Sequence, residues 1–136
     1  MQIDRTPEDL AEFRFEQAKE CLAGAERELA ADSLKNSVNR SYYAIFHAMR
    51  AVLAFDRFDS KKHSGIITAF HRDYIRNGIF PKEFSKIVDN AFDVRTDSDY
   101  HDFYLIAKAE AAAQFENAKV FLEAVESYIN GKIGDR

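Results

Sequence analysis

Residues 95–102 read Arg-Thr-Asp-Ser-Asp-Tyr-His-Asp. An arginine is followed, after five residues, by a histidine, with carboxylates at Asp97, Asp99 and Asp102 and a phenol at Tyr100. Arginine is a permanent cation with a planar fork of donors. Histidine gives or takes a proton near neutral pH. Phosphodiester cleavage without a metal needs a base for the attacking hydroxyl, an acid for the leaving oxygen, and positive charge on the phosphorane. Arg95 suits the clamp on the non-bridging oxygens, and His101 suits either proton task. One imidazole performs one task, so two copies facing across a shared cleft would supply the second.

A structural role competes for the same residues. Arg95 can pair with Asp97 or Asp99 and fix a helix corner. Asp97, Ser98 and Asp99 are good caps for a following helical turn. The three carboxylates would hold His101 as imidazolium, which suits an acid, and they would also repel a phosphate. The Tyr100 hydroxyl can reach a phosphate or Arg95, or its ring can pack half-buried.

Other candidates lie upstream. Asn39, Tyr43 and His47 are spaced by four and share one helix face, with Arg40 adjacent. Lys61, Lys62, His63 and Ser64 form a local basic patch at an expected helix start, where free N–H groups and cations bind phosphate, with Ser64 as the expected cap. Tyr42 and Tyr43 read as core or interface rings, His47 as an interior or interface histidine, His71 as a surface one. Cys21 is the sole cysteine and sits at apolar helical spacing, so it reads as a core thiol rather than a nucleophile. The sequence has no zinc-type Cys/His quartet, no His-x3-His, no Gly-rich phosphate loop and no nucleophile elbow. No metal or other cofactor is expected.

The elements that must position these side chains are helical throughout. Thr6-Pro7 opens a first helix that carries Leu10, Phe13, Ala18, Cys21, Leu22, Ala25 and Leu29. Asp32 or Ser33 caps a second, from about Leu34 to Phe55, with Val38, Tyr42, Ile45, Met49 and Val52 on one stripe. Its apolar girth predicts a central position, in contact with several neighbours and with a second copy of the chain. A third helix carries Ile66, Ile67, Phe70, Tyr74 and Ile75 and stops at Asn77-Gly78. A fourth carries Phe84 to Phe92 and ends near Val94 or Arg95, the polar segment being its exit. The last runs from about Ile106 to Asn130, stopped by Gly131. The expected fold is all-α, a four- to five-helix up-and-down antiparallel bundle in a single domain over 1–136.

Bulk properties agree. Five glycines and two prolines in 136 residues suit long helices, and 12 Phe with 6 Tyr predict a ring-rich core. The net charge of −4 excludes a broadly basic, nucleic-acid-coating surface, so any nucleotide must meet a local cation or one completed by a partner. No signal peptide or long apolar run is present, which predicts a cytoplasmic protein with no membrane partner.

NRSYYAIFHAMRAVL, KKHSGIITAF and FDVRTDSDYHDF, in this order and spacing, resemble the short stand-alone prokaryotic members of the HEPN family. The resemblance covers most of the chain. It implies a dimerising helical bundle. Many such proteins carry an arginine, four to six residues, then a histidine, and act as metal-independent endoribonucleases. Small bacterial members often pair, as toxin, with a minimal nucleotidyltransferase as antitoxin. Arg95 matches the motif arginine and His101 the motif histidine, with RNA or a nucleotide as ligand. A polar residue of the second helix often lies beside that arginine, and Asn39 matches it. This branch is also marked by the arginine followed by Asp-Tyr, here Asp99-Tyr100. One departure stands out: toxin members commonly have a modifiable tyrosine two residues after the histidine, and here that residue is Phe103, with tyrosines at 100 and 104. A non-catalytic interaction or nucleotide-binding module is the alternative the resemblance leaves open.

Overall fold

The computed structural model describes residues 6–134. Helix α1 spans Pro7–Ala30, α2 Leu34–Ala54, α3 His63–Phe70, α4 Glu83–Tyr100 and α5 Lys108–Gly134. After α3 the chain widens into one π-helical turn over His71–Ile75. No strand occurs among the described residues. The architecture is the all-α bundle that the helical periodicity requires.

Local chemistry sets the helix ends. Thr6 and Asp9 form a reciprocal capping box, with Thr6 Oγ1 accepting from Asp9 N–H at 3.0 Å and Asp9 Oδ2 from Thr6 N–H at 3.3 Å. Residues 31–33 then reverse the chain. Asp32 takes a left-handed conformation (φ 60) and Ser33 N–H donates to the Glu28 carbonyl at 2.9 Å. Ser33 occupies the cap position of α2 but makes no capping bond. Its Oγ accepts from Asn36 Nδ2 at 2.9 Å instead. Asn77-Gly78 forms the expected turn, with Gly78 at φ 80.

Helix α2 is the hub, in contact with α1, α3, α4 and α5. The stripe Val38, Tyr42, Ile45, Met49 and Val52 is almost fully buried. Burying each such large side chain contributes about 1.5–3 kcal/mol. At one end of the bundle, aromatic rings fill the core. Phe121 lies 5.0 Å from Phe84 and 5.6 Å from Phe70, and Phe80 stacks on Phe70 at 5.4 Å. At the other end a smaller cluster of Val38, Val94, Ile106 and Ala111 ties α2 to both sides of the 95–105 segment.

Three expected boundaries are corrected. First, α4 does not end near Arg95 but runs to Tyr100, so Asp97, Ser98 and Asp99 are interior helix residues, not caps. Asp and Ser cost no more than about 0.7 kcal/mol each against alanine in a helix. Burial of Val94 and an Arg95–Asp99 pair at i,i+4 offset that cost. Second, α3 begins at His63 with Lys62 at the cap position, so Ser64 lies inside the helix. Third, Gly131 does not stop α5, which continues to Gly134 while Ile133 packs on the core. No helix of the described residues is long and apolar enough to cross a membrane.

Candidate functional site

The face of α4 that meets α2 carries Arg95. Its guanidinium lies over two rings of α2, 5.4 Å from the centre of Tyr42 and 5.5 Å from that of Tyr43. Arg95 Nη2 donates to the Tyr43 hydroxyl at 3.2 Å. Arg95 Nε sits 2.9 Å from Asp99 Oδ2, the i,i+4 ion pair of the same helix. That Nε is buried and its N–H is not aimed at the carboxylate, so the pair is electrostatic rather than a bidentate fork. The side chain is 19 % exposed. A cation so placed is oriented by rings and still has donors to spend.

His63, first residue of α3, turns into the same cluster rather than into a solvated basic patch. Its ring packs on Phe46 at 4.2 Å, and its Nδ1 lies 2.8 Å from the Tyr42 hydroxyl. Burial, with the Arg95 charge, pushes its pKa below the ordinary histidine value, so the ring is held neutral. Burial also pushes the Tyr42 hydroxyl far above its ordinary value, so it stays protonated. Either one can donate across the contact, depending on the tautomer of His63.

On the other side of Tyr43, α1 and α2 enclose a groove of about 500 Å³. Asn36, Asn39, Arg40, Tyr43 and His47 line it from α2, and Cys21 and Glu28 from α1. These α2 residues recur at three-to-four spacing and so form one face. His47 is half-buried. Burial, with the charges of Arg50, His63 and Arg14, lowers its pKa, and its buried Nδ1 has no hydrogen-bond partner. Cys21 is half-buried and burial pushes its thiol up, with Arg40 opposing. It is a thiol at the rim of the core rather than inside it, and no activated nucleophile.

Asn39, Arg40, His63 and Arg95 thus converge around Tyr43, while His101 does not join them. His101 lies six positions after Arg95, and at about 100° per residue this turns their side chains to different faces of α4. His101 is the C-terminal cap residue, 67 % exposed, with Nε2 3.7 Å from Asp97 Oδ1. With Tyr100, Asp102, Phe103 and Tyr104 it lines a separate open hollow. Tyr100, expected half-buried or bonded to Arg95, is 74 % exposed. Phe103 and Leu105 are more exposed still. Asp99 serves Arg95, and Lys62 stays on the surface. His71 is held by Asp89 at 3.2 Å.

Tyr43 is the member of this cluster that the residue types least advertised. Its position four residues from both Asn39 and His47 was the available signal, but only packing shows that its hydroxyl meets an arginine 52 residues away. A second ion-pair node lies elsewhere. Buried Arg14 donates to the Arg50 carbonyl at 3.0 Å and to Asp59 at 3.3 Å, and Arg50 donates to the same carboxylate at 3.0 Å.

The described residues form a five-helix bundle with one ring-mounted arginine and, across the Tyr43 ring, a polar groove. The chain belongs to the HEPN family: the HEPN domain model matches residues 11–128. It is 32% identical to a UPF0332 protein of Thermotoga maritima over 90% of this chain and 92% of that one. It is 29% identical to a UPF0332 protein of Archaeoglobus fulgidus over 90% of this chain and 97% of the other. It is 26% identical to the protein named "Putative toxin MJ0142" of Methanocaldococcus jannaschii over 87% of this chain and 80% of that one.

Proposed function

We propose that this chain is a toxin-type HEPN protein that acts on RNA or a nucleotide, cleaving without a metal as a homodimer through Arg95 and His101. The toxin name carried by the Methanocaldococcus relative supports the first part. The observation that carries the second is the setting of His101. It stands on the surface at the end of α4 beside Tyr100, Phe103 and Leu105, three large apolar side chains left in solvent. Such an edge is suited to burial against another copy. Burial there would bring a second His101 to the interface and supply the acid–base partner that one chain lacks, while Arg95 holds the phosphate. Purified protein is expected to cleave RNA in the presence of EDTA and to lose this in both Arg95→Ala and His101→Ala with folding intact. Retention of cleavage in either variant overturns the assignment of that residue.

The Arg95–Asp99 pair favours a second reading, a non-catalytic module in which Arg95 is structural and the chain binds a nucleotidyltransferase antitoxin. That reading expects no cleavage, and a tight complex with a nucleotidyltransferase encoded beside it. Isolation of the chain from cells without such a partner overturns it.

A further inference from the structure

We infer that the groove between α1 and α2 receives an unpaired nucleobase of the ligand. The inference rests on the reading above, that the chain acts on RNA or a nucleotide, and it names which part of the molecule meets the base.

The groove's volume falls in the range of roughly 300–1,000 Å³ shared by small-molecule sites. Its lining is that of a base-reading pocket, with flat rings for stacking and a few oriented polar groups for the edge. Tyr43 and His47 supply the rings, both half-buried, with centres 6.1 Å apart. Every base has a face that stacks on such rings, and this needs a base already free of its helix. His47 is held neutral, so its ring adds no charge that must be desolvated.

The polar groups are of both kinds. The Asn39 amide, a donor and an acceptor, has no partner among the described residues. Asn36 spends one N–H on Ser33 Oγ and keeps its carbonyl as an acceptor. Glu28 is a pure acceptor and repels phosphate, which directs the base, not the backbone, toward α1. Cations sit at the margins: Arg40 is exposed at the lip, and Arg95 lies behind the Tyr43 ring with its hydroxyl in hand. A base stacked in the groove leaves its sugar-phosphate at the lip, where Arg40 is the exposed cation. A duplex cannot make this contact, since its Watson–Crick edges are occupied and its bases stacked.

The experiment uses the full chain, isotopically labelled, and a mixed-sequence 2′-O-methyl hexanucleotide, which lacks the attacking hydroxyl and stays intact. Addition is expected to shift the ring resonances of His47 and Tyr43 and the side-chain amides of Asn36 and Asn39. In fluorescence anisotropy, Asn39→Leu is expected to weaken the single strand at least tenfold with an unchanged melting temperature. Asn36→Leu is the second variant should Asn39→Leu fail to fold. The same sequence as a duplex is expected to bind at least tenfold more weakly than the single strand. Shifts confined to His101 and Tyr100 overturn the groove and leave the RNA reading standing. Equal affinity for duplex and single strand overturns the base-in-groove claim. The absence of shifts anywhere overturns both.

Discussion

Arg95 and Tyr43 are joined twice: the guanidinium stands 5.5 Å from the ring centre and donates to the ring's hydroxyl at 3.2 Å. One residue comes from α4 and the other from α2, so the contact fixes how the polar segment meets the central helix. Tyr43 is also the wall shared by the groove and the Arg95 cluster. The pair therefore couples stability of the α2–α4 contact to the geometry of the candidate site.

Tyr43→Phe removes the acceptor and keeps the ring. A hydrogen bond of this kind, to a charged donor, contributes about 1.5–3 kcal/mol, toward the lower end where the donor keeps some solvent. Urea unfolding is expected to show a loss of about 1–2 kcal/mol with an unchanged slope. A change near zero would mean that the hydroxyl does not hold Arg95.

Arg95→Lys keeps the charge and loses the planar fork. Lysine cannot cover both rings and bond the hydroxyl together. A loss of about 1 kcal/mol in thermal or urea unfolding is expected, from the cation–π contact. The variant is also expected to lose RNA cleavage, since a point charge does not clamp two phosphate oxygens. Full cleavage by Arg95→Lys would reduce the role of Arg95 to charge alone.

Acid lowers stability through His63 and His47. Both have pKa values pushed below the ordinary 6.5, His63 by burial and Arg95, His47 by burial and the charges of Arg50, His63 and Arg14. The unfolded chain then binds more protons than the folded one between the two values. The stabilisation is fully present above about pH 6.5 and is lost as pH falls through the lower folded values. Unfolding free energy measured from pH 7.5 down to 5 is expected to fall, and His63→Gln to make that fall shallower. An equal slope in the variant would show that His63 is not the group responsible.

Asp59 answers two arginines at once. Buried Arg14 and half-buried Arg50 both donate to its carboxylate. Asp59→Ala leaves Arg14 a buried cation with only the Arg50 carbonyl as acceptor. The expected cost is about 2 kcal/mol, the scale of a lost bond to a charged group. Asp59→Asn, which keeps an acceptor, is expected to cost less. Equal losses in the two variants would show that shape, not charge, matters there.

Gly78 tests the backbone alone. Its φ of 80 suits glycine, and a Cβ added there meets nothing within 4 Å. Gly78→Ala is therefore expected to cost about 1–2 kcal/mol purely from the left-handed conformation. A neutral result would mean that the turn relaxes.

The apolar spacing of Val38, Tyr42, Ile45, Met49 and Val52 was enough to determine that α2 is a helix and a central one, because a stripe that wide must be covered on several sides. The Thr6-Pro7 start and the Asn77-Gly78 turn were equally local, written in side-chain oxygens and in a glycine's freedom. The three sequence segments that resemble HEPN proteins likewise lie within the 11–128 match. What happens between residues 95 and 101 was not local. Asp, Ser and Asp favour a cap when taken alone, and burial of Val94 against the bundle, with the Arg95–Asp99 pair, keeps them helical. That continuation turns His101 outward and leaves Arg95 facing in. His63 reads as part of a basic loop until α3 starts beneath it and seats its ring on Phe46. Short-range preferences of a few tenths of a kcal/mol decide where a helix is able to end. Burial worth several times more decides where it does end, and with it which side chains meet.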